Sequence, residues 1–293
     1  MKGIIYALLA TVSYSSTPTF TQMGYKAGIK TNTLLFSRHL VSLIFLLPTV
    51  LRKGSFNSVG KPQAMGLLVL SCFAIAGNLS FNYAYHYLPN MVSISVSLLY
   101  VIFVSIIEII MGREKYTRKR GLIIGITALS MFVIALPDQG QIDMKAFMIG
   151  IFASLLYSTQ VTIIGSKTMK DVPSNLIVLT SVIPIMIFSS IRCLMYREPL
   201  LPENGGQWFA IICLGTIGVI LARGLFFEAI RLIGATKASM IDSLEPLSSL
   251  VLGYVFLDQI PTWNMLLGSA MMIVSVMMLL KEKSPEKGDQ ECD

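Results

Sequence analysis

Ten long apolar segments fill almost all of this 293-residue chain, at about 3–25, 31–51, 63–86, 89–111, 120–136, 145–167, 174–196, 206–230, 235–257 and 262–281. A hydrocarbon core about 30 Å thick needs roughly 20 apolar residues of helix, each rising 1.5 Å. The chain offers that length ten times, with short connections and no stretch left for a soluble domain. Backbone groups inside a bilayer must be satisfied within their own segment, so helices are expected. The expected fold class is therefore all-α and integral to a membrane.

Charged residues make up 13% of the chain and mean hydropathy is +0.70. A soluble domain carries about 25% charge, so a soluble enzyme is excluded. The first segment holds Ser13, Ser15, Ser16 and Thr17, which makes it too long and too polar for a cleaved signal peptide. The net charge of +7 is spread over short loops rather than one face, which argues against nucleic acid as a partner. Cys72, Cys193, Cys213 and Cys292 have no paired spacing and read as small hydrophobes. The seventeen methionines are scattered and read as packing, so neither metal nor cofactor is expected. No phosphate loop, dinucleotide turn, zinc helix or serine elbow is present. The chain reads as no enzyme, driven by gradients or exchange.

Pro89, Pro173 and Pro261 stand at segment starts, where proline costs no helical hydrogen bond. Pro18, Pro48, Pro184 and Pro246 stand inside segments and are expected to kink them. The tail 282–293 is charged and expected to be disordered. Taking alternate loops, one side of the membrane collects sixteen Lys and Arg and the other five. Basic loops stay cytoplasmic, so both termini are expected there, in a multi-pass protein of the cytoplasmic membrane.

Ten segments divide into two fives. Gly3-Ile4 with Leu8-Leu9 matches Gly150-Ile151 with Leu155-Leu156 at an offset of 147, and the fourth segments align by hydropathy at about 145. An odd number of spans inverts the second copy. Two inverted five-helix repeats, 1–143 and 144–281, would enclose a central cavity, the architecture that secondary carriers use for a midplane site.

The stretch from Ala229 to Leu257 reads AIRLIGATKASMIDSLEPLSSLVLGYVFL, with a helix end, Gly-Ala, small residues, Leu244-Glu245-Pro246 and an apolar helix. It resembles the ninth span of EamA-type carriers in the drug/metabolite transporter superfamily, with Tyr87 to Gly112 as counterpart. The resemblance covers essentially the whole chain. It implies a ten-helix secondary carrier with a cavity between its halves. Where the family often has Gly-Glu after the fourth and ninth spans, this chain has Arg113-Glu114 and Asp258-Gln259.

Ionisable residues inside spans cost about 2.5–3.5 kcal/mol or more at the centre and normally face a cavity or a partner. Arg223, Asp242 and Glu245 stand ten before, nine after and twelve after a turn near Ile233, and so at one depth. The i,i+3 spacing puts both carboxylates on one helix face. They read either as a charged solute or proton site, with Arg223 holding one carboxylate ionised, or as a structural ion pair. At the 145 offset Ser97 and Tyr100 occupy their positions, so the carboxylates have no symmetry mates. Arg38 reads as a ligand for an anion or as an interfacial anchor. His39 reads as a packing residue or as a proton-coupling one.

Asn78, Asn82 and Tyr85 form one polar stripe, facing a cavity or another helix. Tyr14, Tyr157 and Gln160 lie at a matching level and would add aromatic walls and hydrogen bonds. Glu108 is close enough to Arg113 to pair with it. The expected function is export of a small polar or amphipathic metabolite, such as an amino acid or related compound, by a monomer or homodimer in the lipid bilayer. Protons are the candidate coupling ion. The rivals are proton-coupled import of an organic cation, a membrane enzyme and a structural membrane protein.

Overall fold

The computed structural model describes residues 1–52, 59–88, 90–135, 143–257 and 262–281. Helix α1 spans Lys2–Lys26, α2 Thr31–Arg52, α3 Lys61–Tyr87, α4 Asn90–Ile110 and α5 Arg118–Ala135. Helices α6 Met144–Ile164 and α7 Ser174–Tyr196 follow. The next rod is composite: α8 Gly205–Cys213, a π-helical stretch Leu214–Leu221, and α9 Ala222–Ile233. Then come α10 Ala235–Asp242, α11 Glu245–Leu257 and α12 Trp263–Leu280. No strand occurs among the described residues.

Six of these stretches are long and apolar enough to cross a bilayer: Thr31–Arg52, Lys61–Phe81, Met144–Ile164, Ser174–Tyr196, Gly205–Ile233 and Trp263–Leu280. The remaining expected spans are helical too. The hydroxyl residues of α1 dilute it, and α5 opens on Arg118-Lys119-Arg120. Helix α4 is 21 residues long and strongly apolar, and α10 and α11 are two separate helices.

The first helix of each half packs into the other half's territory. Helix α1 lies against α9 and α11, and α6 lies against α3 and α4. Helices α2 with α7, α5 with α12, and α4 with α10 also pair. Small residues close these contacts, as expected where lipid tails supply no hydrophobic drive. A Cβ on Gly268 would stand 2.5 Å from Ile134 Cγ1, and nearby the hydroxyls of Thr127 and Ser275 meet at 2.6 Å between α5 and α12.

Buried hydroxyls fold back on their own helices: Ser42 onto Arg38 O, Thr127 onto Ile123 O and Thr162 onto Ser158 O. This is how a chain so rich in Ser and Thr lives in an apolar interior.

The prolines behave differently from one another. Helix runs through Pro18, Pro48 and Pro184. Pro184 cannot donate to Thr180 O, and that carbonyl accepts instead from Ser71 Oγ of α3 at 2.8 Å. Only Pro246 stands beside an interruption: Ser243 and Leu244 form a turn between α10 and α11. Pro89, Pro261, Asp258, Gln259, Cys292 and the tail fall outside the described residues.

Candidate functional site

The break at Ser243–Leu244 organises the site. Asp242 is the last residue of α10 and Glu245 the first of α11. The expected common helix face is therefore corrected: no continuous helix joins the two carboxylates. Pro246 at the second position of α11 suits a helix start and cannot extend α10. Interrupted helices at a midplane are how carriers bring polar backbone and side chains to a solute.

Asp242 is 2% exposed, and the Tyr100 hydroxyl donates to its Oδ2 at 2.5 Å. Thr11 Oγ1 lies 3.3 Å from Oδ1, yet its single hydrogen has a closer acceptor in Ala7 O at 2.8 Å. Tyr100 is thus the firm partner. Its ring packs edge-on against Tyr157, with centroids 4.8 Å apart, and Tyr157 meets Phe81 at 6.5 Å. Across the site Tyr14 packs edge-on against Phe226 at 5.8 Å. The Tyr14 hydroxyl is buried close to that of Tyr157, without a well-formed hydrogen bond.

Arg223 does not reach the carboxylates. Its guanidinium donates to Ser181 Oγ on α7 at 3.0 Å, and it makes no ion pair with Asp242 or Glu245. The expected pairing is corrected, because hairpin arithmetic fixes depth along the bundle and not direction around a helix. Glu245 is partly exposed and has neither a hydrogen bond nor an ion pair among the described residues. Tyr14 and Tyr157 lie within electrostatic range of both Arg223 and Asp242.

A small cavity opens at Arg223, lined by Asn78, Tyr157, Gln160, Ser181 and Phe227. It offers about 30 Å³, and a water needs about 10–15 Å³ on the same scale. That is room for a water or two and not for a metabolite. Asn78 Nδ2 donates to Ala74 O at 2.9 Å.

Of the expected site residues, the structure brings Asn78, Tyr157, Gln160 and Arg223 to this cavity. Tyr14, Tyr100 and Asp242 adjoin it through the tyrosine cluster, and Glu245 begins the helix beyond the break. The side chains of Asn82 and Tyr85 lie outside the described residues. His39 is fully buried, its Nδ1 2.7 Å from Leu35 O of its own helix and its buried Nε2 without a hydrogen-bond partner among the described residues. The Arg38 carbonyl accepts from Ser42 Oγ of its own helix at 2.7 Å and lies where a Cβ on Gly215 would fall 2.7 Å away. Glu108 pairs with Arg113 at 3.1 Å, as its position suggested, and Arg113 also donates to Thr162 O at the end of α6.

Sequence reasoning missed Thr11, Ser181, Phe226 and Phe227. The phenylalanines were within reach, since they follow Arg223 by three and four residues on one helix face. The π-helical stretch just before Arg223 left no sequence signal. It packs closely, because a Cβ on Gly218 would fall 2.7 Å from Thr17 Oγ1. Such bulges cluster at functional sites. No group of metal-ligating residues occurs among the described residues.

The model of the EamA-like transporter family matches residues 1–136 and again 144–281. The chain belongs to that family. It is a member of the drug/metabolite transporter superfamily and a multi-pass membrane protein, and the family's members are transporters. A solved crystal structure, described only as that of a protein, is similar with a TM-score of 0.77 at 11% identity. The match covers 94% of this chain and 96% of that one, and at such identity it speaks to the fold alone. A search of curated proteins finds no match.

Proposed function

We propose that this EamA-family protein is a secondary carrier that exports a small polar or amphipathic metabolite, an amino acid or related compound, by alternating access. The observation that carries the reading is the buried polar cluster at the α10–α11 break. Beside it, charge, amides and hydroxyls from both halves line a small cavity at Arg223, which the tyrosine cluster joins to Asp242. A solute larger than water enters this cavity only if the helices around it move, and we read that movement as part of the transport cycle.

Ten spans in two inverted repeats, 1–143 and 144–281, fit the observations best. The family model matches each half separately. Ser154 Oγ donates to Val96 O, and Thr11 Oγ1 approaches Ile241 O in the same manner. The helices bearing the hydroxyls are then 143 residues apart and the acceptors 145 apart. The first offset also relates Tyr14 to Tyr157, and the second relates Asn78 to Arg223. This register replaces the offset of 147 for the first helices. Asp242 and Glu245 still correspond to Ser97 and Tyr100, so the carboxylates belong to one half only. A bare scaffold does not need that asymmetry, and a solute site can use it. A proton is the coupling ion that suits an unpaired Glu245, and the loop charges favour a cytoplasmic membrane with both termini inside.

The test is counterflow of labelled amino acids in proteoliposomes holding the purified protein. The wild type should accumulate label, and Asp242→Asn should not, while remaining monodisperse in detergent. Full activity of Asp242→Asn would remove this site from the mechanism. Absence of uptake across a broad metabolite panel would remove the carrier reading.

A further inference from the structure

Three other arginines of this chain meet a carboxylate: Arg113 with Glu108 at 3.1 Å, Arg120 with Glu114 at 3.0 Å and Arg231 with Glu228 at 2.9 Å. Arg223 meets a hydroxyl instead, donating to Ser181 Oγ at 3.0 Å. That serine spends its own hydrogen on Val178 O of α7 at 2.8 Å. It positions the guanidinium and brings it no negative charge. None of the residues lining the cavity at Arg223 is acidic, and Asp242, held by Tyr100, is not among them. Gln160 does line the cavity. It is 8% exposed and has no hydrogen-bond partner among the described residues. Its Nε2 faces α3, where a Cβ on Gly77 would stand 3.9 Å away. A buried amide without a partner and a guanidinium without a counter-charge are both costly in an apolar interior.

The geometry points to a binding site for a monatomic anion, chloride in a cell, held in this cavity by Arg223 and the Gln160 amide. The space suits such an ion. About 30 Å³ holds a water or two, and a halide is only slightly larger than a water molecule, whereas sulfate and organic anions are much larger. The chemistry suits it as well. A guanidinium cannot shed its proton to relieve its burial, and its hydrogens are charge-assisted donors. Water in the cavity would satisfy those donors and leave the charge unmatched. A halide accepts from the guanidinium and the amide at once and supplies the counter-charge that the lining residues lack. Leu70, Ile164, Ile177 and Phe227 close the remaining walls with apolar surface, which strengthens the attraction by excluding water. The site does not depend on which solute the protein carries.

The experiment uses full-length protein in detergent, titrated with sodium chloride against sodium gluconate at fixed ionic strength, with bromide and sulfate as further probes. Thermal unfolding is one readout, and broadening of the chloride NMR line is a second that reports binding directly. The expected result is a saturable rise in the unfolding midpoint with chloride and with bromide, larger than the rise with sulfate. Sulfate is excluded from protein surfaces and stabilises folded chains in general, so the order chloride above sulfate marks a site rather than a salt effect. Arg223→Gln should abolish the chloride shift and the line broadening. Gln160→Leu keeps the charge and should weaken halide affinity by about tenfold, the loss of one hydrogen bond to a charged group; it carries the test if Arg223→Gln does not fold. Sulfate at or above chloride, or a chloride effect unchanged in the variants, overturns the site. No anion effect in either readout means that the cavity holds water only, and overturns it too. The carrier reading stands apart from all of these outcomes, because counterflow tests it separately.

Discussion

Tyr100 and Tyr14 make a matched pair at the scale of single residues. Both are aromatic groups in the same cluster, and they differ in what their hydroxyls do. The Tyr100 hydroxyl donates to a buried carboxylate at 2.5 Å, and the Tyr14 hydroxyl has no well-formed bond. Tyr100→Phe should therefore lower stability by about 1.5–3 kcal/mol, the usual worth of a hydrogen bond to a charged group. Tyr14→Phe should be nearly neutral for stability. Thermal unfolding of the detergent-solubilised protein reads both, and equal midpoints for the two variants would mean that Tyr100 does not hold Asp242. Most of these residues were legible in the sequence, because polar side chains in apolar helices are few and each one needs a reason. Their pairings were not. Arg223 and Asp242 share a depth that can be counted from the turn at Gly234, yet Arg223 turns toward α7 and Asp242 toward α4. Depth follows from counting residues, whereas direction follows from packing between helices distant in sequence.

Proline shows the same division at the scale of elements. Each in-span proline removes one donor, and the sequence marks all four alike. Whether the helix breaks depends on what else can occupy the freed carbonyl. Ser71 does so for Thr180, and α7 runs on through Pro184. At Pro246 the chain turns instead, and the turn separates Asp242 from Glu245. The segment positions themselves were readable, because length and hydropathy alone set them. The π-helical stretch of Leu214–Leu221 was not, since it reflects close approach to Thr17 and Arg38 rather than any local preference. If the break serves transport and not stability, Pro246→Ala should restore a helical donor and let α10 run toward α11. Stability should change little, since a proline in the first turn of α11 removes no hydrogen bond within that helix, while flux falls. The two are measured on one preparation by thermal unfolding and liposome counterflow. A variant that loses stability yet keeps its flux would show that the break is a structural joint only.

At the scale of the whole molecule the question is orientation, which decides the side from which the cavity at Arg223 is reached. The loop segments around α4–α5 carry Arg113, Lys115, Arg118, Lys119 and Arg120, whereas the connection before α6 carries only Lys145. Juxtamembrane Lys and Arg resist translocation, so the α4–α5 connection is expected in the cytoplasm and the start of α6 outside. The structure supplies good reporters for both. Arg118 is exposed at the start of α5, and Met144, 65% exposed, opens α6 beside the Asp143 cap, which accepts from the Lys145 and Ala146 amides. Substituting Met144 spares a cap worth about 1 kcal/mol. In a background freed of the four native cysteines, Met144→Cys should react with a membrane-impermeant thiol reagent in intact cells. Arg118→Cys should react only after the membrane is opened. The opposite pattern would invert the molecule in the membrane. It would leave the fold and the site untouched, because both are set by contacts between helices. It would reverse the face from which Arg223 and Glu245 are first reached, and with it the meaning of export.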